Sequence, residues 1–184
     1  MSDWITKYEI MPIPPVEEQT TFFDVADGVR VGVEYRLLTD AIADAQTFEA
    51  ATGNDSGAYD GLDDRGVSLH VFADQDGESR EFLRFDCFNE DPHYHYVSEK
   101  KKSNEMVHID PIAIGDPLAW AIECIRTRLP QMLERAGNPE AAKRVDPKTV
   151  EEALPRLVSH AYSARYGQNE EEVLAGAMAA AGGR

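Results

Sequence analysis

Basic residues are scarce in this chain: 18 Lys and Arg stand against 34 Asp and Glu in 184 residues, a formal charge of −16 at pH 7. A field of that sign repels phosphate backbones and anionic headgroups, which argues against nucleic acid and membrane surfaces as partners. The densest basic run, Lys100-Lys101-Lys102, reads as a solvated loop between strands. Cysteine is scarcer still. Cys87 and Cys124 are too few for a disulfide scaffold and form no CxxC pair, so a reducing, cytoplasmic setting is expected. No stretch approaches the roughly 20 apolar residues of a membrane span, and Met1-Ser2-Asp3-Trp4 lacks the basic start and apolar core of a leader. A Walker loop, GxGxxG, GxSxG and HExxH are also missing, which removes the usual support for a nucleotide cofactor, an esterase or a metalloprotease.

What is present is an ordinary globular balance, with 42% hydrophobic and 28% charged residues and enough length for a real core. Residues 1 to 20 contain Pro12, Pro14 and Pro15, which favour an extended arm over a helix because each lacks an amide donor and restricts its predecessor. Thr21 to Leu37 reads as a hairpin about Asp27-Gly28. A three-residue loop there pairs Val25 with Val29 and Asp24 with Arg30. Thr39 or Asp40 can cap a short helix carrying Ile42, Ala45, Phe48 and Ala51, followed by a glycine-containing loop over 53–61.

Val67 to Phe88 reads as a second hairpin, about Asp76-Gly77. With Asp76 to Glu78 as the loop, Val67, Leu69 and Val71 oppose Cys87, Phe85 and Leu83, while Ser68, His70 and Phe72 oppose Asp86, Arg84 and Phe82. One face is then apolar and the other gathers His70, Arg84 and Asp86; a slip of one residue would mix the two. Tyr94 to Val97 and Glu105 to Ile109 add strands, for about six in the sheet. After Pro111 the pattern turns helical, announced by Asp116-Pro117 and Asp146-Pro147 as N-cap and first helical residue, with Pro130 and Pro155 expected to kink these helices. Asn169 with Glu170, Glu171 and Glu172 opens a last helix. The expected fold is α+β: an antiparallel sheet of two hairpins plus one or two further strands, covered by C-terminal helices. It forms a single domain over 1–184, with an arm (1–20), a mainly β part with one short helix (21–110) and a helical part (111–184).

The chemistry is concentrated between Arg84 and Tyr96. His93 and His95 project to one side of a strand, and paired imidazoles suit a divalent transition metal, with His108 as third ligand or with Asp110, Asp86, Glu90 or His70 completing the sphere. Arg84 with Asp86 makes a clamp for a small anionic ligand, or else a cross-strand salt bridge. Asp86 beside His70 or His93 can orient an imidazole as general base, with Tyr94 or Tyr96 as proton donor. The candidate catalytic set is therefore His70, Arg84, Asp86, His93 and His95, and the candidate metal set is His93, His95 and His108. Cys87 and Cys124 read as core thiols and His160 as a packing residue.

The order Arg84-Phe85-Asp86, then Pro92-His93-Tyr94-His95, then a strand and a long amphipathic helix, resembles the RYD…PHxH core of small TumE-type proteins, the toxin halves of bacterial toxin-antitoxin pairs. The resemblance covers about residues 67 to 130 and implies Arg84, Asp86, His93 and His95 as the functional positions. This chain has Phe85 where that pattern has Tyr, Cys87 in place of the usual Asn, a longer helical C-terminus and a strongly acidic balance. Three function classes follow: an enzyme that binds a metal or an anionic ligand on the sheet face; an accessory subunit whose arm and helices dock a protein partner or a second copy of the chain; and a toxin held by an antitoxin.

Overall fold

Period-two alternation produces strands here on a larger scale than the expected six. The computed structural model describes residues 4–9, 11–39 and 63–182. Its strands are β1 (Ile5–Tyr8), β2 (Thr21–Ala26), β3 (Val29–Thr39), β4 (Asp63–Gln75), β5 (Glu78–Phe88), β6 (His93–Ser98) and β7 (Ser103–His108). They form one antiparallel sheet in the order β1-β7-β6-β5-β4-β3-β2. The seventh strand comes from the N-terminal arm: β1 adds to the edge left by β7, with Ile5 opposite Val107 and Tyr8 opposite Asn104. The expected short helix over 42–51 and the loop over 53–61 lie outside the described residues.

Both hairpin registers follow the hydrophobic pattern in the middle of the sheet and depart from it at the turns. In the first, Asp24 does face Arg30, but Ala26 rather than Val25 pairs with Val29, because the turn is two residues long and a bulge absorbs the difference. In the second, all five expected pairs from Val67–Cys87 to Val71–Leu83 are present. Phe72 then faces Glu81, not Phe82. Asp76 and Gly77 have φ of 57° and 82°, the two left-handed residues of a tight two-residue turn, so one residue of β5 is left over and bulges at Phe82. Phe82 joins the core and Glu81 takes the polar face.

The helices are α1 (Pro111–Ile114), α2 (Pro117–Arg135), α3 (Pro139–Arg144), α4 (Pro147–Gly167) and α5 (Glu170–Gly182). Asp110, Asp116, Asn138 and Asp146 each accept a hydrogen bond from a backbone amide of the following turn, and each precedes a proline. Pro130 and Pro155 lie inside continuous α2 and α4. The apolar sheet face, with Val31, Val71, Leu69, Leu83 and Phe85, packs on Leu118, Ile125, Leu129 and Leu133 of α2 and on Val150, Leu157 and Ala161 of α4. Cys87 and Cys124 are buried in that core, and His160 packs its ring 5.6 Å from that of Phe23. Among the described residues no helix is long and apolar enough to cross a membrane.

The opposite face of the sheet carries the polar side chains, and the proline arm folds back over part of it. Val16 is buried and donates its amide to Glu34 Oε1 at 3.0 Å. The Ile13 carbonyl accepts from Arg84 Nη1 at 2.6 Å and from Arg36 Nη2 at 3.4 Å. A Cβ on Gly32 would lie 2.7 Å from Thr20 Cγ2 and 2.9 Å from Phe22 Cε1, so the bare glycine makes room where the chain turns into β2.

Candidate metal centre

Alternation along β5 and β6, together with their register, brings three side chains to one point. Asp86 stands opposite His93, and Arg84 opposite His95. Residues two apart share a face, so Asp86 reaches both imidazoles. Its Oδ2 is 3.4 Å from His93 Nε2 and 3.3 Å from His95 Nε2. Its Oδ1 accepts from the Ser68 hydroxyl on β4, which turns Oδ2 toward the histidines. His93 Nδ1 lies 2.7 Å from the Asp91 carbonyl oxygen, an acceptor only, so Nδ1 carries the proton. His95 Nδ1 meets Asn104 Oδ1 at 2.9 Å. In both rings Nε2 is left facing the carboxylate.

This group can hold a metal ion. One ligand atom from each of Asp86, His93 and His95 lies within 4.8 Å of the other two, and the three residues are only 3%, 8% and 7% exposed. Two ligands bound at about 2.1 Å sit about 3.0 Å apart at a right angle and about 3.4 Å apart at a tetrahedral one. The separations of Oδ2 from the two nitrogens match the wider value. The outer contacts match as well: ligating histidines commonly donate their second N–H to a carbonyl or carboxylate, which fixes tautomer and ring orientation.

The family model described as a domain of unknown function, DUF7700, matches residues 23–161, a stretch that includes all three of these side chains. The chain belongs to the DUF7700 family. No curated protein and no solved structure matches it. The DUF7700 match starts inside β2 and stops inside α4, so β1, the arm over β3 and β5, and α5 lie outside it. None of these comparisons bears on the toxin-antitoxin resemblance.

The charges at the centre are coupled. Burial opposes ionisation of Asp86, but the hydrogen bonds from His93 and His95 outweigh it and hold the carboxyl well below its ordinary range. Burial also disfavours charge on His93, yet the contact with Asp86 prevails and the ring is raised above the ordinary imidazole value. For His95 burial wins and the ring is lowered. Without a metal, His93 is thus the ring that keeps the extra proton, between the Asp91 carbonyl and Asp86.

His70 and Arg84 belong to a second network beside the centre. His70 is fully buried, with Nδ1 2.7 Å from Glu81 Oε1 and Nε2 3.2 Å from Glu34 Oε2, so both ring nitrogens are engaged. Arg84 donates from Nε and Nη2 to the two oxygens of Glu81, at 2.9 and 2.7 Å, and from Nη1 to Ile13. Its acid is therefore Glu81 rather than Asp86, and the Arg84 fork and both His70 ring nitrogens are engaged by the protein's own groups. Tyr94 and Tyr96 point to the helix side of β6, where Tyr94 packs on Phe85 and Trp120, so neither shares the histidine face. Burial pushes Tyr96 up to about 12.

His108 stands opposite His93 on β7, but the rings are 6.5 Å apart and its Nδ1 turns to Asp91 Oδ1 at 3.2 Å. Asp86 takes the place of third ligand that the sequence pattern gave to His108. Asp110 caps α1, and Glu90 is exposed with its amide on Asp64. Four supporting residues carry no motif of their own: Ser68, Glu34, Glu81 and Asp64. Buried Asp64 accepts from the amides of Asn89, Glu90 and Asp91 at 3.0, 3.1 and 2.9 Å and so shapes the turn that presents the Asp91 carbonyl to His93.

The second network predicts an acid-sensitive fold. Burial opposes the charge on Glu81, but Arg84 and the hydrogen bonds from His70 and Arg84 lower its pKa from 4.5 to about 2. A depressed carboxylate stabilises the native state above its unfolded pKa, and that contribution disappears as pH falls through the folded value. Glu34 shifts in the same direction, its burial outweighed by Arg36 and His70. Stability should therefore hold from pH 7 to about 5 and fall by about 3 kcal/mol between pH 4.5 and 2 from Glu81 alone. Urea midpoints at pH 7, 5 and 3 test this, and an unchanged midpoint at pH 3 contradicts it.

Proposed function

We propose that this DUF7700 domain binds one divalent transition-metal ion on Asp86, His93 and His95 and acts as a metal-dependent enzyme on a small anionic substrate. The observation that carries the reading is the convergence of Oδ2 and two Nε2 atoms whose partner atoms are all turned outward onto fixed groups. Surface histidines have no need of such support. Two imidazoles and one carboxylate suit zinc, iron, cobalt or nickel, and three protein ligands leave coordination positions open. When bound there, such an ion would polarise a ligand oxygen or make its water more acidic.

The protein's own part is orientation and exclusion of solvent. Ser68 aims the Asp86 carboxylate, the Asp91 carbonyl and Asn104 hold the two rings with Nε2 inward, and burial keeps bulk water from competing for the ligands. The deciding experiment is elemental analysis of the purified chain beside a His93→Ala/His95→Ala variant, with near-ultraviolet circular dichroism as the folding control. One ion per chain is expected in the wild type and none in the folded variant. A wild-type chain that stays metal-free after exposure to zinc, cobalt, nickel and ferrous iron would refute the reading.

A further inference from the structure

A second site lies at the far end of the same strands. β5 and β6 are paired from Asp86–His93 to Leu83–Tyr96, and the pairing stops there. The bulge at Phe82 turns the start of β5 away, and beyond Tyr96 the last residues of β6, Val97 and Ser98, keep their pairing with β7. A cleft of about 590 Å³ opens where the strands part, roofed by the end of α2.

The cleft reverses the charge of the molecule. Four of the chain's 18 basic residues line it: Arg80, Lys100, Lys101 and Arg135. Among its acids, Glu81 is committed to Arg84 and His70, leaving Glu99 and Glu105 to face those four cations. Lys100 reaches outward to Asp76 at 2.6 Å, and Lys101 has no ion pair among the described residues. The Arg135 guanidinium is 3.6 Å from the centre of the Tyr96 ring and 2.9 Å from Glu105, a stacking that fixes its plane. Arg80 Nη2 donates to Glu78 on the same strand, while its Nε is buried without a hydrogen bond, although Glu99 Oε2 stands 3.4 Å away. A buried donor without a partner is uncommon in a folded protein. Ser98 and Ser103 add hydroxyls on the same wall.

We propose that this cleft binds a small, multiply charged anion, a polycarboxylate or a phosphorylated compound, held by Arg80, Lys101 and Arg135. A planar guanidinium next to a mobile ammonium matches either oxyanion, and the anion displaces Glu99 from Arg80. The wall also contains Asn104, the residue that holds His95, so the bound anion lies against the outer contacts of the metal centre. The site itself stands whether or not a metal binds there.

Isothermal titration calorimetry of the full chain, stripped of metal with chelator and dialysed, tests the site with inorganic phosphate and with citrate. Saturable binding of at least one probe is expected, weakened severalfold between about 20 and about 200 mM salt. An Arg80→Gln/Lys101→Gln variant should bind it at least tenfold more weakly, while Lys148→Gln, at an exposed position of α4, should bind as the wild type does. Preference for phosphate assigns a phosphorylated ligand, and preference for citrate a polycarboxylate. Failure of both probes to bind, or equal affinity in the Arg80→Gln/Lys101→Gln variant, overturns the proposal.

Discussion

An Arg84→Ala chain is expected to lose about 3–5 kcal/mol of stability, the range found when one partner of a buried ion pair is removed. For a chain of this size that corresponds to a fall of roughly 10 °C in Tm. Arg84 is 2% exposed and meets Glu81 through two parallel hydrogen bonds. Without the guanidinium, Glu81 must either stay charged in a buried site or take up a proton, and the Ile13 carbonyl loses its closest donor. The cost belongs to the orphaned charge rather than to the lost attraction. Replacing both partners with apolar residues of similar length, Glu81→Leu with Arg84→Met, should therefore recover much of the loss, because no charge is then stranded. Urea unfolding of the three chains measures this. A single variant within about 1 kcal/mol of wild type would mean that solvent reaches the pair.

That pair marks the limit of what the chain discloses before it is folded. The β4–β5 register was legible because only one alignment separates Val67, Leu69 and Val71 from Ser68 and His70, and the structure keeps it from Val67 to Val71. The Asp-Pro helix starts were legible because capping is local, involving side chain and amides within one turn. Glu81 was not. Its place opposite Phe72 depends on a bulge, and a bulge is set by competition between turn length and core packing that no residue pattern announces. A two-residue turn at Asp76-Gly77 requires a residue to be lost from the ladder. Burying Phe82 is the favourable way to lose it, and Glu81 is carried onto the polar face as a result. Glu34 and Asp64 were hidden for a different reason: their partners are 36 residues away in His70 and 25 to 27 residues away in the turn amides.

The metal ligands fall between these cases. His93 and His95 were visible from their spacing alone, and Asp86 came to them through the β5–β6 register. His108 was the natural third choice by residue type, and it is indeed opposite His93. What the sequence could not show is that Asp91 draws its Nδ1 away. The arm behaves similarly. Its prolines predict extension, but not that Ile5 to Tyr8 completes the sheet or that Ile13 and Val16 cover Arg84 and Glu34, because backbone pairing and carbonyl capture are insensitive to side-chain identity.

Zinc or cobalt should raise the thermal midpoint of the wild-type chain and leave His95→Ala unmoved. An ion that binds only the folded state stabilises it by RT ln(1 + [M]/Kd), about 2.7 kcal/mol at a hundred times Kd, so the midpoint should keep climbing with metal concentration. Ligands on two strands converge only when β5 and β6 are paired, so the unfolded chain competes weakly. Proton and metal contend for the same Nε2. With His93 raised above its ordinary value by Asp86 and His95 lowered by burial, His93 is the last to be freed as pH rises. The metal-induced shift should therefore grow as pH climbs past the ordinary imidazole value of 6.5 and level off once His93 has lost its proton. Magnesium supplies the control for a chain of charge −16, since exposed carboxylates bind it while imidazoles favour the transition metals. Equal shifts with magnesium and zinc, or the same zinc shift in His95→Ala, would place the ion on the acidic surface and leave Asp86, His93 and His95 as a buried ion triad. Should His95→Ala fail to fold, Asp86→Asn removes the charged ligand while keeping the shape of the side chain, and the same outcomes apply.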